Sequence, residues 1–242
     1  MVELTEKRLA SLLWILKNKE RGWSIFELTK GAAGMLGQKD WRVYKKDSKG
    51  ARIQYTDAAL TYSPTHSFVK ELEEKGFLHK DEKTSEYRAA KAADLIKLVS
   101  LARPFNSLKA EYYHSPSGFL ETIKMVGSSR LPYALTLFAG SELYRQYVKT
   151  DQVHAYIREG GEEKWGKYLL SKKCRKVRKN EASLANLFLI PTSQGAFFNA
   201  PAKVKGFSVA PAPILLSDLL SFGGLGEEQA SFLMEEWLNN RL

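Results

Sequence analysis

A single cysteine among 242 residues, Cys174, leaves no partner for an intrachain disulfide. No apolar run reaches the length of a membrane span, and Met1–Ala10 is too charged for a secretory signal peptide. The four histidines, His66, His79, His114 and His154, are scattered, and none stands at metal-ligand spacing from another histidine or from the cysteine. Repeats and low-complexity tracts are missing too. These absences point to a cytoplasmic protein that needs neither metal nor cofactor and does not work at a membrane.

What the chain has in excess is positive charge. Its formal net charge is +10 with a sequence pI near 9.5, which favours polyanionic partners, nucleic acid above all. Residues 1–100 hold 19 Lys+Arg and 14 Asp+Glu, leaving 18 and 13 for the rest, so the basic character is spread over both halves. With 44% hydrophobic residues the chain can bury a real core, in one or two domains.

Leu9, Leu12, Leu13 and Leu16 form an i, i+3, i+4, i+7 stripe that predicts an amphipathic helix over Thr5–Lys19. Ser24-Ile25-Phe26-Glu27 has the spacing of a capping box opening a second helix, which fades at Gly31 or Gly34. Ser63 is a suitable N-cap for a third, with Pro64 at its first helical position, Phe68, Val69 and Leu72 on one face, and Gly76 at its end. Phe77–Lys80 and Ser85–Arg88 then read as two strands around Asp81–Thr84. Three helices and a hairpin are the order of a winged helix-turn-helix, in which residues at the start of the third helix reach base edges. Thr65, His66, Ser67 and Lys70 are the expected readers, and Lys80, Lys83 and Arg88 the wing's phosphate contacts. An ordinary α+β domain can share this layout.

Between the second and third helices stand residues 35–62, where a short turn is usual. The insertion is basic, with Lys39, Arg42, Lys45, Lys46, Lys49 and Arg52 interspersed with Asp40 and Asp47, and carries Trp41, Tyr44 and Tyr55. It reads either as an ordered insertion or as an arm along a DNA backbone, with Lys45 and Lys46 as phosphate contacts.

A helix over Lys91–Ala102 closes the first domain, residues 1–102, because Pro104 disfavours helix at Arg103. The second domain, 103–242, alternates. Helices are expected over Ser117–Met125, Glu162–Leu170, Ala212–Ser221 and Glu227–Asn239, and strands over Val153–Ile157, Leu187–Ile190, Ala196–Phe198 and Phe207–Val209, while Tyr133–Leu143 is ambiguous. The fold class is thus α+β, a winged helix followed by a mixed α/β domain with a small sheet.

Lys172–Lys179 has six basic residues in eight and no acid. Read as a strand, it puts cations on both faces, so Lys172, Lys173, Arg175 and Lys176 suit a second phosphate contact; a solvated edge strand guarded by charge is the alternative. Cations beside Cys174 would lower its pKa, but no histidine is paired with it. Gly140-Ser141 followed by Asp151 faintly matches a nucleotidyltransferase signature, yet the second carboxylate is missing. No catalytic activity is expected.

Several segments in order resemble the abortive-infection AbiEi antitoxin family, transcriptional regulators of type IV toxin–antitoxin systems. They are Tyr133–Thr136, Ala139–Ser141, Val153–Ile157, Asn186–Pro191, Val204–Val209, Leu216–Leu220 and Gly226–Ala230. The resemblance implies a regulator that binds double-stranded operator DNA, represses its own promoter, and opposes a nucleotidyltransferase-like toxin. Binding as an oligomer on DNA is compatible with it. The alternative is an RNA-binding or RNA-modifying protein with a degenerate nucleotidyltransferase-like second domain, since basic charge with Trp41, Tyr44 and Tyr55 also suits single strands.

Overall fold

Thr5 opens α1 (Glu6–Lys17) by accepting a hydrogen bond from the Arg8 amide, and the leucine stripe behind it is buried. In the computed structural model the described residues are 4–38, 45–46, 53–54, 60–145 and 147–240, and the chain divides into two units, Met1–Ala102 and Arg103–Leu242. The first unit continues with α2 (Ile25–Met35), where the capping box forms as its spacing requires. Glu27 N donates to Ser24 Oγ at 3.2 Å, and Ser24 N donates to the Glu27 carboxylate at 2.9 Å.

Two-residue strands β1 (Lys45–Lys46) and β2 (Ile53–Gln54) pair antiparallel within the insertion. Trp41, Tyr44, Tyr55, Lys39, Arg42, Lys49 and Arg52 lie outside the described residues. Then come α3 (Tyr62–Glu74), a hairpin of β3 (Leu78–Lys80) and β4 (Tyr87–Ala89), and α4 (Ala92–Ala102). Leu12, Leu28, Phe68, Val69, Leu72 and Leu95 meet in the core. Trp23 anchors the hairpin to the start of α2. Its backbone exchanges hydrogen bonds of 3.0 and 2.9 Å with Tyr87, and the two rings stack at 5.6 Å.

The second unit is built on a seven-stranded sheet, larger than the small one expected from sequence. In chain order its elements are β5 (Glu111–His114), α5 (Phe119–Gly127), β6 (Tyr133–Thr136), α6 (Leu137–Tyr144), β7 (Val153–Arg158), α7 (Glu162–Ser171), β8 (Arg175–Val177), β9 (Leu187–Thr192), α8 (Ala196–Asn199), β10 (Ala202–Val204), β11 (Phe207–Val209), α9 (Ala212–Phe222) and α10 (Leu225–Leu238). Short 3-10 turns occupy Phe105–Ser107 and Lys179–Leu184. The spatial order is β10-β11-β6-β7-β9-β5-β8, parallel at β11/β6 and β7/β9 and antiparallel elsewhere.

Several boundaries differ from the sequence reading. Pro191 does not stop β9, because a parallel strand can carry a proline where no ladder donor is needed; Pro191 sits opposite Ile157 and the strand runs to Thr192. Ala196–Phe198, expected as a strand, lies in the short helix α8, where Ala196 and Phe197 are buried. The ambiguous Tyr133–Leu143 is a strand that turns straight into a helix at Leu137, whose φ is +47°. Among the described residues no helix is long and apolar enough to cross a membrane.

Candidate nucleic-acid interfaces

In the first unit α3 begins two residues earlier than expected. Thr61, not Ser63, is the N-cap, so Pro64 falls at the third helical position, still within the turn whose N–H groups have no intrahelical acceptor. That shift rotates the reading of the face. Thr65 is buried, and its hydroxyl donates to the Thr61 carbonyl at 2.8 Å, so it cannot project towards a base. The outward face of the first two turns is instead Tyr62, Ser63, Pro64 and Ser67, with His66 half-buried and stacked on the Tyr62 ring at 6.0 Å.

Lys70 is held by Glu73 at 2.9 Å, a bond that raises the lysine's pKa, so this cation is already partnered. Glu71 is likewise taken up by Lys75 at 2.8 Å and Arg8 at 3.2 Å. Of the acids at that end of α3, Glu71 and Glu73 are therefore paired, while Glu74 is exposed. On the hairpin, Lys80 lies over the Tyr87 ring at 5.9 Å, while Lys83 and Arg88 are exposed. Asp81 shapes the tip by accepting from the amides of Lys83 (2.8 Å) and Thr84 (3.2 Å), bonds that hold its carboxyl below the usual range. Of Lys45 and Lys46 only the backbone pairing is described.

In the second unit the basic run is not one strand. Lys172 and Lys173 form the turn that ends α7, with Lys173 left-handed at φ +64° and the amides of Lys173 and Cys174 returning to Leu170 and Leu169, each at 3.0 Å. Only Arg175–Val177 is strand, at the sheet's edge. Lys172, Lys173, Arg175, Arg178 and Lys179 are exposed, and Lys176 reaches Glu111 on β5 at 2.9 Å. Cys174 is buried against Met125, and burial pushes its thiol up, against a smaller opposing pull from Ser115.

The nucleotidyltransferase-like pair is also accounted for by packing. Gly140 lies inside α6, where a Cβ would meet Leu215 at 3.0 Å and the Leu135 carbonyl at 3.1 Å. Ser141 is buried and donates to the Phe138 carbonyl at 3.1 Å, so its hydroxyl is not presented to a phosphate. Among the described residues no three His, Cys, Asp or Glu side chains are grouped to hold a metal ion.

Two features of this unit escaped the sequence. One is a buried polar network. Asp218 of α9 accepts from Arg103 (2.7 Å), Tyr156 of β7 (2.7 Å) and Thr136 of β6 (2.6 Å), and Arg103 also donates to the Tyr156 hydroxyl. Burial pushes the Asp218 carboxyl up from its ordinary range, opposed by Arg103 and the two hydroxyls; with three donors aimed at it, the group is a carboxylate. Burial pulls on Arg103 the other way, but Tyr156 and Asp218 outweigh it and hold the guanidinium above its ordinary value.

The other is a row of cross-strand neighbours, Thr136, His154, Phe188 and Tyr112, on one face of β6, β7, β9 and β5. His154 lies flat on Phe188 at 4.4 Å and 9°, and Tyr112 meets Phe188 edge-on at 5.8 Å. Beside them opens a cavity of about 300 Å³. The aromatic run Glu111-Tyr112-Tyr113-His114 was the one local signal for β5.

No family model matches this chain, and no curated protein or solved structure is significantly similar to it.

Proposed function

We propose that the protein is a sequence-specific regulator that binds double-stranded DNA through a winged helix-turn-helix in its first unit. The observation that carries this reading is the open N-terminal face of α3, with Tyr62, Ser63, His66 and Ser67 available, next in sequence to a hairpin whose Lys83 and Arg88 are exposed. A recognition helix presents small polar side chains from its first turns to base edges, and a wing supplies cations to the backbone. Pairing of Glu71 and Glu73 at the far end of α3 reduces the charge that would otherwise oppose approach. The exposed cations after α7 in the second unit, Lys172, Lys173 and Arg175, add sequence-independent phosphate attraction.

The second unit acts by binding, not by catalysis. That it opposes a nucleotidyltransferase-like toxin, and that the whole chain represses its own promoter, follow from the AbiEi resemblance alone. Co-expression with the product of the neighbouring reading frame tests the first of these.

The DNA reading is tested with DNA from upstream of the protein's own coding sequence against random duplex. Replacing His66 or Ser67 with Ala should reduce discrimination by about 1–3 kcal/mol for every base edge that is no longer read. Unchanged discrimination in both variants would remove α3 as the reading helix.

A further inference from the structure

The cavity beside His154 is walled mainly by rings and short aliphatic side chains. Phe105, Tyr112, His154, Phe188 and Phe222 supply rings, and no side chain that lines it is charged. Gln152 and Asn106 bring the two amides at its margin. A ligand carboxylate or phosphate would find no counter-charge inside, whereas a flat, uncharged ring would find faces and edges to stack on. Phe188 and Tyr112 are only half-buried, so their rings are not used up in the core.

His154 adds a specific deficit. It is 4% exposed, and its Nδ1 is buried without a hydrogen-bond partner. Buried polar nitrogens are almost always paired, so this one is a place for a donor from outside the chain, whether water or ligand. Burial lowers the imidazole pKa to about 3, with the Gln152 backbone offsetting part of the shift, so the ring is neutral and keeps a lone pair.

The surroundings narrow the ring further. Lys109 is exposed between Leu108 and Ala110, both of which line the cavity. Arg178 and Lys179 are exposed at the head of the 3-10 turn whose Ala182 also lines it. An uncharged, ring-lined interior with amides at its margin and cations close by in the chain suits a base inside and a phosphate outside.

We propose that this cavity binds a nucleobase, through stacking on the half-buried Phe188 or Tyr112 ring and hydrogen bonding to His154 and the flanking amides. The site is separate from α3 and does not depend on duplex recognition. The base could belong to a free nucleotide or to a single strand; the chemistry of the interior is the same for both.

The test uses the full chain labelled with 13C-histidine, followed at the His154 ring resonance. The probes are uridine monophosphate, adenosine monophosphate, a ten-residue oligothymidylate and inorganic phosphate. A saturable shift with the mononucleotides alone supports the proposal and assigns a free nucleotide. A tighter shift with the oligonucleotide supports it and assigns a single strand. Phe188→Leu and Tyr112→Leu, which keep apolar volume, should each weaken that binding about tenfold, the order of a missing base stack, with the unfolding midpoint checking that the fold persists. Three outcomes would overturn the proposal: a His154 resonance that no nucleotide moves, an equal shift with inorganic phosphate, or undiminished binding in both folded variants.

Discussion

Arg103 and Asp218 form a buried ion pair, Nη1 to Oδ1 at 2.7 Å, joining the first residue of the second unit to α9. Asp218 has no exposed side-chain surface, and Arg103 lies over the Tyr156 and Phe197 rings at 5.0 and 5.2 Å. The pair is closed into a triangle by the Tyr156 hydroxyl, which takes a hydrogen bond from Arg103 and gives one to Asp218.

Asp218→Ala should therefore cost about 3–5 kcal/mol, because it strands a guanidinium and two hydroxyls in the interior. The double variant Arg103→Met, Asp218→Leu should lose much less, since no charge is left unpaired. Urea unfolding of the two variants decides between charge and packing; equal losses would assign the cost to packing.

Gly31 and Gly34 should respond oppositely to alanine. A Cβ at Gly31 would lie 1.7 Å from Nε1 of Trp14, a ring already fixed edge-on against Trp23 at 5.8 Å. Gly31→Ala should cost about 1–3 kcal/mol through overpacking. Nothing stands within 4 Å of a Cβ at Gly34, so Gly34→Ala should stabilise α2 by up to about 1 kcal/mol. Thermal unfolding measures both.

His154 gives the fold a pH dependence whose sign is fixed by its lowered pKa. The folded chain refuses a proton down to about pH 3, while the unfolded chain takes one up below 6.5. Its stabilisation is complete above pH 6.5 and falls as pH drops through that window, at about 1.4 kcal/mol per unit. Between pH 7 and pH 5 the wild type should lose about 2 kcal/mol more than His154→Phe. Parallel losses in urea titrations would show that the imidazole titrates normally.

Charge in the Lys172–Lys179 run should appear in the salt dependence of DNA binding. Each phosphate contact removed by changing Lys172, Lys173 or Arg175 to Gln should flatten the slope of log affinity against log salt by about 0.9. Lys176→Gln should change it less, because Glu111 already holds that ammonium. A slope untouched by all four changes would assign the run to solvent.

Local signals in the chain went far for elements whose determinants are neighbours in sequence. The leucine stripe of α1, the Ser24–Glu27 box and the paired glycines between α9 and α10 each specify backbone within one or two turns, and Gly223 and Gly224 do adopt positive φ, +82° and +53°. Where two neighbouring residues compete for one role, the sequence alone did not choose. Thr61 and Ser63 are both acceptable caps, and only the packing of Phe68, Val69 and Leu72 settles the phase of α3 and turns Thr65 inward.

The amino-acid sequence by itself determined the charge, the lack of disulfides and the type and order of most elements, because those depend on composition and short periodicity. Tertiary structure alone decided what lies beside what. Arg103 and Asp218 are 115 positions apart, and Thr136, His154, Phe188 and Tyr112 become one row only through the register of β6, β7, β9 and β5. Register is fixed by burying whole strand faces at once, a condition no short window of sequence contains.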